Sequence, residues 1–320
     1  MAEGASGDVP SYRRRTAPLK SRRSNSMLKV LKQAKAAMSL LNPEEIVNRA
    51  RRPLHIGLVA SSEAAYAQME EFLLPGSLPL DERPYMLDKL HRVDDPQTPE
   101  AVDLILFEEG IPASKGTYTF HREDPSTTIS EILLGNEDIE LALARQFPVF
   151  RARVVEGTIH AVARENALFA IATALPDIIP SLIELPWAFG EFASDTMFLT
   201  GNQIRMAFVI AAACGKEAGF LGQKGAILSI AAGAFGWRAL ARELVGKIPL
   251  GGGLIPKGAI AYAGTYAVGK GLEFYYGGNG SFSRGQRRSV FREALDRGRE
   301  VVAGVAKGAV DQFTAATQRR

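Results

Sequence analysis

The turn after the first strongly apolar run is where residue type and spacing come nearest to a recognisable chemistry. Leu54–Ala60 (LHIGLVA) reads as a buried strand, and Ser61–Ser62–Glu63 opens a helix continuing to about Leu74, where Pro75–Gly76 stops it. A phosphate-binding loop has this strand-loop-helix form. Its glycines let backbone N–H groups cradle phosphate, a Lys meets the β and γ phosphates, and a Ser or Thr holds magnesium. Counted from Gly57, the slots for Gly, Lys and Ser or Thr hold Ser62, Glu63 and Ala64. A carboxylate in the lysine slot repels the anion it should neutralise. Gly57, Ser61, Ser62 and Glu63 thus make a degenerate loop, and an ordinary turn with Ser62 at a helix start explains them better.

Other catalytic constellations are not found. His55, His91, His121 and His160 share no short metal-ligand spacing, so no metal is expected. There is no Gly-x-Ser-x-Gly elbow, and Cys214, the single cysteine, lies in an apolar setting that raises a thiol pKa. Asp177 reads as a helix cap, Glu184 and Glu191 are separated by Pro186, and Gly251–Gly253 reads as a turn. No catalytic residue and no cofactor is expected.

Charge points to a partner instead. The net +3 conceals a strong segregation: residues 1–52 hold 12 basic and 4 acidic side chains, 53–140 hold 5 and 18, 141–280 hold 12 and 9, and 281–320 hold 9 and 4. Basic ends around an acidic unit either fold back on that unit or seek an anionic partner such as lipid headgroups or nucleic acid; an anionic membrane surface or a membrane protein is expected, with a further protein partner open. Arg13, Arg14, Arg15, Lys29, Lys32, Arg287 and Arg288 are the contact candidates. Tyr12 is the only aromatic among the leading arginines, so stacking on bases is unsupported and no specific nucleic acid is expected.

These groups must be carried by about five segments. Residues 1–26 read as a disordered basic leader. Residues 27–52 read as amphipathic helices, with Asn42 capping a second helix that begins at Pro43. Residues 53–140 form a small α/β layer with strands at Leu54–Ala60, Val102–Phe107 and Thr117–His121. Residues 141–280 form an Ala/Gly-rich helical bundle, and 281–320 a basic amphipathic helix with Phe291, Leu295 and Val302 on one face. The fold class is therefore α/β plus all-α. Among the apolar stretches of the bundle, the longest without a charge is 13 residues, shorter than a bilayer-crossing helix needs. With no apolar run near Met1 and one cysteine, a non-secreted chain in a reducing compartment is expected.

Leu175–Pro176–Asp177, Asn202–Gln203–Ile204–Arg205–Met206, Ala211–Ala212–Ala213–Cys214–Gly215, Ile255–Pro256–Lys257–Gly258–Ala259, Gly264–Thr265–Tyr266–Ala267–Val268–Gly269 and Tyr275–Tyr276 carry a resemblance. Over about 165–280 the chain resembles the bacterial family catalogued as domain of unknown function 697. The resemblance implies a helical domain linked to the cytoplasmic face of the inner membrane and preceded by a Ras-like GTPase domain, of which 53–140 would be a degenerate relative. Together these readings predict a non-catalytic, membrane-associated regulatory or scaffold protein. The alternatives are an atypical nucleotide-binding switch and a helical module that binds a lipid or another apolar small molecule.

Overall fold

The computed structural model describes residues 41–76, 83–93, 102–112, 115–173, 195–227, 254–278 and 283–318, with the backbone alone at 195–197, 254–256, 284, 305–306 and 308–318. Arg13, Arg14, Arg15, Lys29 and Lys32, the helix expected over Met27–Leu41, Asp177, Glu184, Glu191 and Gly251–Gly253 lie outside the described residues.

Asn42 sets the first helix, α1 (Pro43–Arg51). Its side-chain oxygen accepts from the Glu45 N–H at 3.4 Å while its amide donates to the Glu45 carboxylate at 2.9 Å, a reciprocal cap ahead of a Pro at the first turn. Ile46 and Ala50 are buried, and they pack with the helical core rather than with the sheet.

The α/β layer is a four-stranded parallel sheet of β1 (Ile56–Val59), β2 (Leu90–Arg92), β3 (Leu104–Glu108) and β4 (Tyr118–Phe120), in the order β2-β1-β3-β4. Helices α2 (Glu63–Leu73) and α3 (Arg83–Leu87) lie between β1 and β2, and α4 (Pro125–Gly135) follows β4. Ile56, Leu58, Leu104, Leu106 and Phe120 pack with Tyr66, Met69 and Leu73 of α2 and Ile132 of α4 in one core. Around Gly57 the sheet is equally tight: a Cβ there would meet Val93 at 3.1 Å, Ile105 at 3.3 Å and Val102 at 3.4 Å.

Three elements of the α/β layer were not expected, the five-residue α3 among them. β2 is three residues long and all half-buried, so it has neither the apolar run nor the alternation that marks a strand, and only its pairing with β1 makes it one. Helix α4 follows the Asp124–Pro125 start signal, with the Asp124 carboxylate accepting from the Thr127 N–H at 3.4 Å.

Helices α5 (Glu140–Gln146) and α6 (Pro148–Ala172) join the sheet to the bundle. Ala142 and Leu143 of α5 face the sheet's core while Leu141 and Ala144 face the bundle's. The bundle continues with α7 (Asp195–Ala213), α8 (Leu254–Tyr276) and α9 (Arg284–Gln318), and α8 packs against α6, α7 and α9. Small residues permit that closeness. A Cβ on Gly298 would lie 2.9 Å from the Ala259 carbonyl oxygen, and one on Gly269 would lie 2.7 Å from Ile159. No helix among the described residues is long and apolar enough to cross a membrane.

Candidate functional site

β1 and β3 are neighbours, with Val59 opposite Phe107, and the chain leaves both strands at the same edge of the sheet. β2 and β3 flank β1 on opposite sides, so this edge is the switch point at which open parallel sheets bind ligands.

The polar groups there are matched to one another. Ser61 donates its backbone N–H and its hydroxyl to the same Glu108 carboxylate oxygen, each at 2.7 Å. The backbone bond, then the hydroxyl bond, hold the Glu108 carboxyl below its ordinary pKa. Ser62 caps α2 by accepting from the Ala65 N–H at 3.2 Å. Glu63 takes both guanidinium nitrogens of Arg92, at 2.6 and 2.7 Å, and that hydrogen bonding lowers its carboxyl pKa. Arg92 in turn lies 4.4 Å over the Tyr66 ring. Gly57, counted from sequence as the first glycine of the loop, sits inside β1 and lends the turn no backbone group.

A phosphate would need the N–H and hydroxyl that Glu108 now occupies, so the carboxylate stands where the anion would. Nearby, His121 after β4 has Nδ1 3.8 Å from Glu109 and Nε2 3.5 Å from Glu131. Among the described residues no group of three or more His, Cys, Asp or Glu is placed to hold a metal ion. At the opposite edge, His55 Nδ1 and His91 Nε2 share a hydrogen bond at 2.9 Å, because β1 and β2 set Gly57 beside His91.

A second polar constellation braces the bundle. Glu156 of α6 accepts from Tyr266 at 2.9 Å and from Lys270 at 3.0 Å, and lies 2.9 Å from His160 Nε2. His160 Nδ1 is 2.6 Å from the Tyr262 hydroxyl. Burial alone would raise the Glu156 carboxyl pKa, but the bonds from Lys270 and Tyr266 outweigh it and the net shift is downward. Burial, then the bond to Glu156, pushes the Tyr266 phenol up to about 12. Such a phenol is a poor acid or nucleophile at neutral pH, and Tyr262 is nearly inaccessible, so this network holds α6 to α8.

Deeper still, Asn166 donates to Thr265 at 2.8 Å and accepts from Asn202 at 2.9 Å. These side chains and Gln203 are buried among apolar neighbours. Cys214 is half-buried and burial raises its thiol pKa, as its apolar surroundings predict.

No family model, curated protein or solved structure matches the chain. The likeness to domain of unknown function 697 stays an expectation drawn from the residues quoted for it. Of these, Asn202, Gln203 and Thr265 meet in the buried network, while Tyr276 is buried and Tyr275 exposed at the end of α8.

The structure brings Ser61, Ser62 and Glu63 together at the turn and places Arg287 and Arg288 on the exposed outer face of α9. Glu108, Arg92 and His121 belong to the site but escape sequence reasoning. Glu108 is 47 residues from Ser61, and only the parallel pairing of β1 with β3 brings it within reach. A charged residue ending an apolar strand, as Glu108 ends VDLILF, was the available signal.

Proposed function

We propose that this chain is a non-catalytic regulatory or scaffold protein that docks electrostatically on an anionic membrane surface at the cytoplasmic face of a bacterial inner membrane. The observation that carries the reading is the way α9 divides its faces. Phe291, Ala294, Leu295, Gly298 and Val302 are buried against the bundle, so the apolar stripe is already spent. The outer face keeps Arg287, Arg288 and Arg292 exposed, and among the described residues Arg288 and Arg292 pair with no carboxylate. A helix so disposed meets lipid through charge rather than insertion. Glu108, at the end of β3 and bonded to Ser61 in the turn after β1, supports the non-catalytic half of the reading; a degenerate GTPase-like ancestry for the α/β layer is part of the same proposal.

Flotation with vesicles of phosphatidylglycerol in phosphatidylcholine tests the proposal. The full chain should float with the anionic vesicles, sediment free of pure phosphatidylcholine, and be released by salt. At about 1 kcal/mol for each cation near the surface, Arg288→Gln with Arg292→Gln should weaken binding roughly thirtyfold. Failure of the full chain to float with either vesicle refutes the reading.

The second reading, an atypical nucleotide-binding switch, draws on the position of the turn at the sheet's switch point. It requires Glu108 to leave Ser61, and calorimetry with GTP and ATP in the presence of magnesium decides it.

A further inference from the structure

Three helices end at one place in this fold: α1 at Arg51, α5 at Gln146 and α7 at Ala213. The Gln146 amide donates to the Arg52 carbonyl at 2.8 Å and ties the first two ends together. Arg145 Nη1 donates to the carbonyls of Ala212 and Lys216, at 3.1 and 3.2 Å, and Arg151 Nε donates to that of Ala213 at 2.9 Å. Two guanidinium groups thus sit on consecutive carbonyls at the end of α7, with Arg51 closing α1 beside them and Lys216 just beyond. Arg51 and Lys216 are exposed, while Arg145 and Arg151 are half-buried.

Capping explains part of this cluster. A helix C-terminus is worth about −0.5 of a charge, so three of them offset roughly 1.5 of the four positive charges and leave about 2.5 unanswered. Among the described residues none of the four pairs with a carboxylate. Of the carboxylates in the neighbourhood, Glu273 bridges to Lys270, and the exposed Glu217, next in sequence to Lys216, forms no ion pair with the four among the described residues. Burial first, then repulsion from Arg51 and Arg151, pushes the Arg145 guanidinium pKa down.

We propose that Arg51, Arg145, Arg151 and Lys216 form a binding site for a phosphate group. The two half-buried arginines are held in place by backbone carbonyls and keep further N–H donors; Arg51 lies near enough to Arg145 to repel its charge, and Lys216 gives Arg145 its carbonyl. The phosphate can come from a lipid headgroup or from a soluble phosphate ester. None of these four residues belongs to α9, and the proposal does not depend on the membrane reading.

The test uses the full chain, with inorganic pyrophosphate in calorimetry and phosphatidylglycerol vesicles in flotation. Arg51→Gln with Lys216→Gln removes two exposed side chains that make no hydrogen bond among the described residues, so the fold should be kept. Pyrophosphate should bind the unaltered chain saturably at an ionic strength matched with chloride, and the double variant should bind it about tenfold more weakly or worse. If the variant also loses flotation, the phosphate is a lipid's; if flotation persists while pyrophosphate binding falls, it is a soluble ester's. No saturable binding by the unaltered chain, or equal binding by the variant, overturns the site and leaves helix capping as its whole role. Arg288→Gln with Arg292→Gln should leave pyrophosphate binding intact, which keeps a failure here distinct from a failure of the membrane reading.

Discussion

Glu108, at the end of β3, accepts both the backbone N–H and the hydroxyl of Ser61 through one carboxylate oxygen, at 2.7 Å each, and so closes the turn after β1 from within. Glu108→Ala should free that turn. Amide exchange over residues 60–64 should accelerate relative to the unaltered chain, because the Ser61 N–H loses its acceptor. Calorimetry with GTP and magnesium should still show no binding, since no lysine stands in the loop to meet the phosphates. Tight GTP binding by the variant would establish Glu108 as an internal competitor and favour the switch reading.

Gly298 and Gly264 separate packing from propensity. A Cβ on Gly298 would press on the Ala259 carbonyl oxygen at 2.9 Å and the Ala259 Cα at 3.1 Å, and backbone atoms cannot turn aside. Gly298→Ala should therefore destabilise by about 1–3 kcal/mol, even after the gain in helix propensity of about 1 kcal/mol. At Gly264 a Cβ would meet no atom of the described residues within 4 Å, so Gly264→Ala should stabilise by up to about 1 kcal/mol. Urea unfolding midpoints read both, and equal effects of the same sign would mean that α8 and α9 do not approach as closely as described.

What the sequence could show followed the range of each signal. The Asn42–Pro43 start, Ser62 as the cap of α2, the strand within VDLILF and the long C-terminal helix are local patterns, and each appears with its end shifted by a residue or two. β2 is defined by its neighbour rather than by its own residues, so it had no such signal. The site divides in the same way. Ser61, Ser62 and Glu63 are contiguous and legible as a turn, whereas Glu108, Arg92 and the pairing of His55 with His91 arise only from strand order. The counterion of Glu63 is also invisible in the chain alone: Arg92, 29 positions away, neutralises the carboxylate that stands in the lysine slot.

Asn166 should be the costliest polar residue of the bundle to remove. It is fully buried, and its amide links α6 to Thr265 of α8 while its oxygen accepts from Asn202 of α7. Asn166→Leu leaves the buried Asn202 amide without this acceptor and should destabilise by about 1–3 kcal/mol. Asn202→Leu alone should destabilise by at least as much, because Asn202 also hydrogen-bonds Glu165, and the double variant by clearly less than the two together, because the bond between the two amides is lost only once. Additive effects in chemical denaturation would show that the two side chains are satisfied independently.

The network at Glu156 should give the bundle two pH limits of opposite origin. The folded Glu156 carboxyl lies below its ordinary 4.5, so its contribution is present above that pH and is lost as pH falls through the folded value. The folded Tyr266 phenol is raised from 10 to about 12, so its contribution is complete below pH 10 and is lost as pH rises from there to about 12. Glu165 works against the acid limit: burial raises its carboxyl pKa, and protonating it on acidification favours the folded state. Glu156→Gln should therefore weaken the bundle by about 1 kcal/mol near neutrality, with the loss shrinking below pH 4.5 as the native carboxylate itself becomes neutral. It should also soften the alkaline limit, because burial still raises the Tyr266 phenol but the neighbouring negative charge no longer does. Urea midpoints measured from pH 3 to 11 for the unaltered chain and the variant check both limbs; two curves that stay parallel across the acid range would show that Glu156 does not carry the ionised link between α6 and α8.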